Sequence, residues 1–389
     1  MHIKSIVIED IGGIRHLSIN FSPGMNVLCG PNGIGKTTIL ECVAHSFTTT
    51  QSQILKRNAQ ASEGSVSIRL DIDETETNHK FTLNEFSPVK NSSVTGLHNF
   101  ANKLLSLKVT RSLNYMQIDA IRTDLERPVH IMYEEAKNGI NTYEFKNWFV
   151  NRHMWSKHEN SLTEQQMSNY HLAVKSFSIL DKDYQFSRIL ADSNEIMLNS
   201  PRGEIFYEYL SSGFKSTLSV IFGIIKEIEF RFKDPHVKAE DFDGVILIDE
   251  LELHLHPDWQ ARIPNVLRSL FPKCQFIATT HSPHIIQAAD PNEIIALEGS
   301  DGHTVQRQLP NAEFGFKGWT IEEVLSDVMG MSDTRTKQFD ENLAEFNAAI
   351  DGTDAERAEQ AFSKLNKMIH PANQLRKLLR LQLASIRID

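Results

Sequence analysis

The sequence predicts a three-layer α/β fold, with helices on both faces of a mainly parallel sheet. Three observations predict it. A glycine-rich turn, Gly30–Thr37, lies between a short apolar run, Met25–Cys29, and a segment of helical spacing, Thr38–Ala44. Val245–Ile248 is an unbroken aliphatic run, the composition of a strand buried on both faces. Strand-like and helix-like segments alternate around these two landmarks.

In chain order, Ile3, Ile6 and Ile8, then Ile14, Leu17, Ile19 and Phe21, alternate with polar residues, punctuated by Gly12-Gly13 and Pro23-Gly24. This reads as two antiparallel strands feeding the strand before the glycine turn. Ser65–Leu83 alternates again, with a polar break at Glu74–His79, and predicts a second hairpin on the same sheet edge. A strand is expected at Lys108–Arg111, followed by the stretch Asn114–Ile121. Residues from about 133 to 180 are helical in character and form an inserted region, with Trp148, Phe149 and Trp155 as apolar anchors. Short strands follow at Gln185–Leu190, Glu195–Leu198 and Glu204–Tyr207. A long helix over Lys215–Phe232 places Leu218, Phe222, Ile225 and Ile228 toward a core. A helix at Trp259–Leu270 and a strand at Gln275–Thr279 complete the α/β pattern.

The character changes near residue 318, so residues 1–318 are read as one domain and 319–389 as a helical extension for oligomerisation or partner docking. Thr320-Ile321-Glu322-Glu323 is a capping-box sequence. Helices are expected at about 333–350, 354–368 and 372–386. The last carries Leu375, Leu378, Leu379, Leu383 and Ile386 on one side, with Arg376, Lys377, Arg380 and Arg387 clustered nearby. That helix is either a docking surface or packed on its own core with solvated arginines.

With 389 residues, 40% of them hydrophobic, the chain can bury one large core or two smaller ones. Its formal charge is 40 − 50 = −10, which argues against a globally basic nucleic-acid binder while leaving room for a local basic groove. The three cysteines, Cys29, Cys42 and Cys274, form no CxxC pair and suggest reduced thiols. No apolar run approaches the length of a membrane span, and Met1–Ile6 alternates like a strand instead of forming a signal-peptide core. A soluble cytoplasmic chain is expected.

Gly30–Thr37 fits the phosphate-binding pattern G-x-x-x-x-G-K-[ST] at every fixed position. Its glycines let the backbone curl so that several N–H groups point inward at a polyphosphate. Lys36 adds a positive charge on a long stem, and the Thr37 hydroxyl can ligate Mg²⁺. The helix that follows adds its N-terminal dipole. Asn32, Gly33, Ile34, Gly35, Lys36, Thr37 and Thr38 are the candidate contacts to ATP. Val245–Ile248 ends in Asp249-Glu250, the pattern of a Walker B strand. Asp249 would hold Mg²⁺, directly or through water, and Glu250 would polarise the attacking water.

Leu210-Ser211-Ser212-Gly213-Phe214-Lys215 resembles the LSGGQ-type signature of ABC-type ATPases, with Ser212 in place of a glycine and Phe214 departing from the usual sequence. In that family the serine and glycine groups open a helix aimed at the γ-phosphate held by a second subunit, which implies Ser211, Ser212 and Gly213 as nucleotide contacts. His281, after the strand Phe276–Thr280, is similar to the switch histidine of the same family. Two readings stay open. Gln117 is either a Q-loop glutamine or an ordinary polar residue. His254 and His256 could suggest a metal pair, but no carboxylate–histidine spacing supports one, and a D-loop-like turn is the preferred reading.

The residues after Walker B, Glu250-Leu251-Glu252-Leu253-His254-Leu255-His256-Pro257, differ from the Pro-x-Ser-x-Leu-Asp type of membrane transporters. Together with Ile6–Phe21 and Thr279-Thr280-His281-Ser282-Pro283 they resemble the soluble SMC-like and RecF-like ATPases, and especially the PtuA-type ATPases of Septu and retron anti-phage systems. The resemblance implies a P-loop ATPase head with an antiparallel β subdomain, and a head-to-tail homodimer or larger assembly around ATP and Mg²⁺. It also implies a separate nuclease, of HNH type or alternatively Toprim type, because residues after Thr320 read as helices with no DxD motif. DNA would be met through that complex. A repair ATPase acting directly on DNA is the alternative, and a transporter engine is disfavoured.

Overall fold

The computed structural model describes residues 1–49, 51–111, 115–142, 144–300, 302–310, 313–331 and 335–386. The chain divides into two compact units, Met1–Gly330 and Met331–Asp389. The division falls later than the change of character near 318, because Val324 and Val328 are buried in the core of the first unit.

Within the first unit, a mainly parallel sheet runs in the order His303–Gln306, Ile294–Ser300, Met25–Cys29, Gln275–Thr279, Val245–Ile248, Leu104–Leu107, with only His303–Gln306 antiparallel among the described strands. Side chains alternate across a strand, so both faces must be apolar when both are covered. That is what the sheet does. Val27, Cys29, Ile246, Ile248, Phe276 and Ala278 enter one core cluster with helices Ser212–Arg231 and Ile263–Leu270. Leu28, Val245, Leu247 and Ile277 enter a second, with helix Lys36–His45 and a separate antiparallel sheet. The three layers follow from these two clusters.

The antiparallel sheet runs Ile14–Asn20, His2–Ile11, Gly64–Ile72, Thr75–Leu83. Its second hairpin turns at Asp73 and Glu74, both left-handed. Glu76–His79, read as a break, instead pair with Ile68–Asp71. They are polar because this edge strand is largely solvent-facing, and charge on an edge discourages further pairing.

Two other expectations are corrected, and one hairpin is new. The strand expected at Lys108–Arg111 lies at Leu104–Leu107, in parallel register with Val245–Ile248. Lys108 leaves the sheet and pairs with Glu41 at 2.6 Å. The helix expected over Trp259–Leu270 is two, Pro257–Gln260 and Ile263–Leu270, the second opened by Pro264, whose missing N–H suits a first turn. The hairpin Ile294–Ser300 and His303–Gln306 was not anticipated.

The inserted region contains helices Val129–Asn138, Phe145–Trp155 and Glu164–Leu180. It packs through Phe149, whose ring stacks on Phe222 of helix Ser212–Arg231 at 5.3 Å. A small sheet, Gln185–Ile189, Ile196–Ser200 and Gly203–Phe206, leads into that helix. The capping box at Thr320 is present, and the helix it opens widens to a π turn over Val324–Val328.

The second unit consists, among the described residues, of helices Lys337–Asp351, Ala355–Met368 and Leu375–Ser385 around Phe346, Leu365, Leu379 and Leu383. In the last helix Leu378 is 53% exposed, so only part of the expected apolar side is buried. Residues 332–334 and Arg387 lie outside the described residues.

Candidate active site

The glycine loop starts where strand Met25–Cys29 ends. Gly30 (φ +142), Gly33 (φ +75) and Gly35 (φ +103) all take left-handed conformations that reverse the chain into helix Lys36–His45. Gly30 is fixed for a second reason: a Cβ there would strike the carbonyl oxygen of Leu297. The hairpin Ile294–Gln306 also holds the loop further along, where the Thr304 hydroxyl donates to the Ile34 carbonyl at 2.9 Å. Asn32 and Gly33 are exposed at the rim, Ile34, Gly35 and Thr38 half-buried, and Lys36 buried. Lys36 Nζ donates to the carbonyls of Gly30 and Pro31 at 2.9 and 3.0 Å, and burial lowers its affinity for its proton.

The exposed hydroxyl of Thr37 donates to both carboxylate oxygens of Asp249, at 3.1 and 3.2 Å. Asp249 is buried at the end of strand Val245–Ile248 and also accepts from Thr279 Oγ1 at 2.6 Å. The pair presents hard oxygen donors, the set that suits Mg²⁺. Glu250 follows in a left-handed turn (φ +50). Its N–H donates to Thr279 Oγ1 at 2.8 Å, so one threonine hydroxyl orients two successive acidic residues.

Arg111 was not singled out from the sequence. It is buried, and its Nη2 donates to the carbonyls of Asp249 and Glu250 at 3.0 and 2.5 Å. Burial brings its pKa down to about 10, against the pull of Asp249, Glu250 and Glu252. No local pattern marks this residue, because its partners are 138 and 139 positions away.

His281 stands exposed at the end of strand Gln275–Thr279. Partial loss of solvent and the Lys36 ammonium hold its imidazole pKa below the ordinary value, while Glu252, Glu250 and Asp249 pull the other way. Lys36, the acid pair and His281 are therefore electrostatically in one place. Ser211 and Ser212 are exposed, and Ser211 caps helix Ser212–Arg231 by accepting from the Phe214 N–H at 3.3 Å. Gly213 lies against the backbone of His254–His256, and Ser216 Oγ donates to the Leu253 carbonyl at 3.2 Å. The start of helix Ser212–Arg231 is thus joined to the turn that follows Asp249-Glu250. His256 caps the short helix Pro257–Gln260 by accepting from the Asp258 N–H. Gln117 is exposed and lines a hollow with Asn147 of the inserted region and Phe230 of helix Ser212–Arg231.

The arrangement is that of an ABC-type ATPase head. A solved SMC head bound to the C-winged helix domain of ScpA has the same fold, with TM-score 0.53 at 16% identity over 79% of this chain and 98% of that one. A family profile described as "AAA domain, putative AbiEii toxin, Type IV TA system" matches residues 112–287, the stretch that includes Ser211–Gly213, Asp249-Glu250 and His281. A Septu protein PtuA of Bacillus thuringiensis is 44% identical, covering 98% of each chain. This chain belongs to the PtuA family. A PtuA of Bacillus mycoides is 25% identical over 85% of this chain, which spans 45% of that protein. The Retron Ec83 probable ATPase of Escherichia coli is 26% identical over 54% of this chain and 38% of its own length. No helix among the described residues is long and apolar enough to cross a membrane.

Proposed function

We propose that this chain binds and hydrolyses ATP, closes head to tail with a second copy around two nucleotides, and thereby gates a separate nuclease in anti-phage defence. The observation that carries the reading is the meeting of Thr37 and Asp249, 212 residues apart, at the mouth of the glycine loop. The N–H groups of Asn32–Thr38 and the Lys36 ammonium hold the β- and γ-phosphates, with Lys36 exchanging the Gly30 and Pro31 carbonyls for phosphate oxygens. Thr37 and Asp249 would hold Mg²⁺, which when bound neutralises charge developing on the phosphates. Glu250 orients and deprotonates the attacking water. His281 contacts the γ-phosphate from the switch strand. The exposed Ser211 and Ser212, with Gly213, face the nucleotide of the other copy. The PtuA and retron relatives support a place in defence; in this reading the nuclease is on another chain, HNH type before Toprim type.

The test is native mass measurement with and without ATP, on the chain alone and purified with the product of its neighbouring reading frame. Glu250→Gln should bind ATP, turn it over about a hundredfold more slowly and stay closed. Lys36→Ala should lose ATP binding. Wild-type turnover in the first variant removes Glu250 as the base, and unchanged affinity in the second removes the loop assignment. A nuclease complex whose stoichiometry or activity follows ATP supports gating. A lone ATP-dependent dimer that binds DNA moves the reading to the SMC/RecF-like repair ATPase.

A further inference from the structure

We propose that Glu252 is a positioning residue for ATP hydrolysis, its carboxylate holding the strand end from which His281 reaches the phosphate site; this rests on the ATPase reading above. Both carboxylate oxygens are committed to that strand end. Glu252 Oε2 accepts from the Thr280 hydroxyl at 2.6 Å, and Oε1 accepts from the His281 backbone N–H at 2.5 Å. A carboxylate bonded to two consecutive residues fixes both their spacing and the direction of the chain, and charge assistance makes each bond stronger than a neutral one.

The platform under Glu252 is rigid. It lies between two left-handed non-glycine residues, Glu250 (φ +50) and His254 (φ +65). The Leu251 N–H donates to the Thr279 carbonyl at 2.9 Å, and Arg111 holds the carbonyls just before it. Such backbone persists only where its surroundings over-determine it. The held segment then continues into a closed ring of bonds. The Ser282 N–H donates to Thr280 Oγ1 at 2.9 Å, Ser282 Oγ donates to Gln260 at 2.6 Å, and Gln260 Nε2 donates to the Leu255 carbonyl at 2.8 Å. The turn that carries Glu252 is also the one on which the signature start packs, through Ser216 and Gly213. Displacement of the signature surface by the second copy therefore reaches His281 through the turn that carries Glu252.

Charge is what glutamate adds to this geometry. In a Glu252→Gln variant the amide oxygen can still accept the His281 N–H and the NH₂ can donate to the Thr280 hydroxyl, so the contacts survive without their charge assistance. The turnover of Glu252→Gln and Glu252→Ala, each alone and combined with His281→Ala, tests the proposal. Glu252→Ala should lower kcat by about tenfold to a hundredfold, as expected for a misplaced reacting group, and Glu252→Gln by less. On the His281→Ala background the further loss should be under about twofold, because a residue acting through another adds little once that other is gone. Equal losses on both backgrounds, or wild-type kcat in Glu252→Ala, overturn the proposal. A second measurement does not depend on turnover. The His281 amide, bonded to a carboxylate, should resonate downfield and exchange slowly in wild-type protein, and lose both features in Glu252→Ala. An unmoved His281 amide overturns the positioning role even if the chain hydrolyses ATP. An amide that moves in a chain without ATPase activity overturns the ATPase reading and leaves the hydrogen bond as structure alone.

Discussion

At the residue scale, the acid pair Asp249-Glu250 is held in place by Thr279 and Arg111. Thr279 gives its single hydroxyl to Asp249 and to the Glu250 N–H, and Arg111 takes the two carbonyls behind them. Arg111→Met keeps the bulk of the side chain but leaves those carbonyls without their donor. It should cost about 2 kcal/mol of stability and lower ATP turnover by at least about tenfold, read by thermal melting and steady-state hydrolysis. Unchanged values in both would show that the Walker B turn holds itself. A second residue, His45, is buried in helix Lys36–His45, with Nδ1 donating to the Glu41 carbonyl at 2.8 Å. Burial depresses its pKa to about 4 from an ordinary 6.5. The folded state thus binds fewer protons there than the unfolded state. Stability from this group is complete above pH 6.5 and is lost as pH falls toward 4, about 3 kcal/mol in all. His45→Gln, which keeps a donor for the Glu41 carbonyl, should flatten the fall in urea-unfolding free energy across that window. An equally steep fall in the variant would place the acid sensitivity elsewhere.

At the element scale, helix Ser212–Arg231 departs most from its amphipathic reading. Leu218, Phe222, Ile225 and Ile228 are buried as the spacing implies, but so are Lys226, Glu227, Glu229 and Arg231. The charges survive burial because each meets an opposite one. Glu227 faces Lys226 at 3.0 Å and Arg127 at 3.1 Å, Arg231 faces Glu135 at 2.7 Å, and Glu229 faces Arg152 at 2.7 Å. Burial alone would raise the Glu227 pKa, but Lys226, Arg231 and Arg127 hold it down to about 2. Removing one partner leaves the others buried and unpaired, so Glu227→Ala should cost about 3–5 kcal/mol in thermal or urea unfolding. A cost below about 1 kcal/mol would mean that water reaches the network. The same logic explains the glycine loop, whose shape depends on a hairpin more than 250 residues later through the Leu297 carbonyl and Thr304.

At the scale of the whole molecule, two units have separate cores. The second is small, and Phe346 is its largest fully buried side chain. Phe346→Ala should destabilise that unit by about 3–5 kcal/mol while leaving ATP affinity, set by the first unit, unchanged in a binding titration. A parallel loss of affinity would show that the two units are energetically one. The sequence by itself determined what is written in neighbouring residues: the glycine loop, the aliphatic run ending in Asp249-Glu250, the Thr320 capping box and the alternating strands that open the chain. Each depends on backbone geometry or periodicity over a few positions, so a short window carries the whole signal. Only the tertiary structure decided where Leu104–Leu107 pairs, that Asp73-Glu74 turns and Glu76–His79 does not, which charges on helix Ser212–Arg231 are buried, and which backbone groups Arg111 and Glu252 hold. Each of these depends on a partner brought close by the fold of the rest of the chain. Hydrogen bonds and ion pairs act over a few ångströms of space, whatever the distance along the sequence.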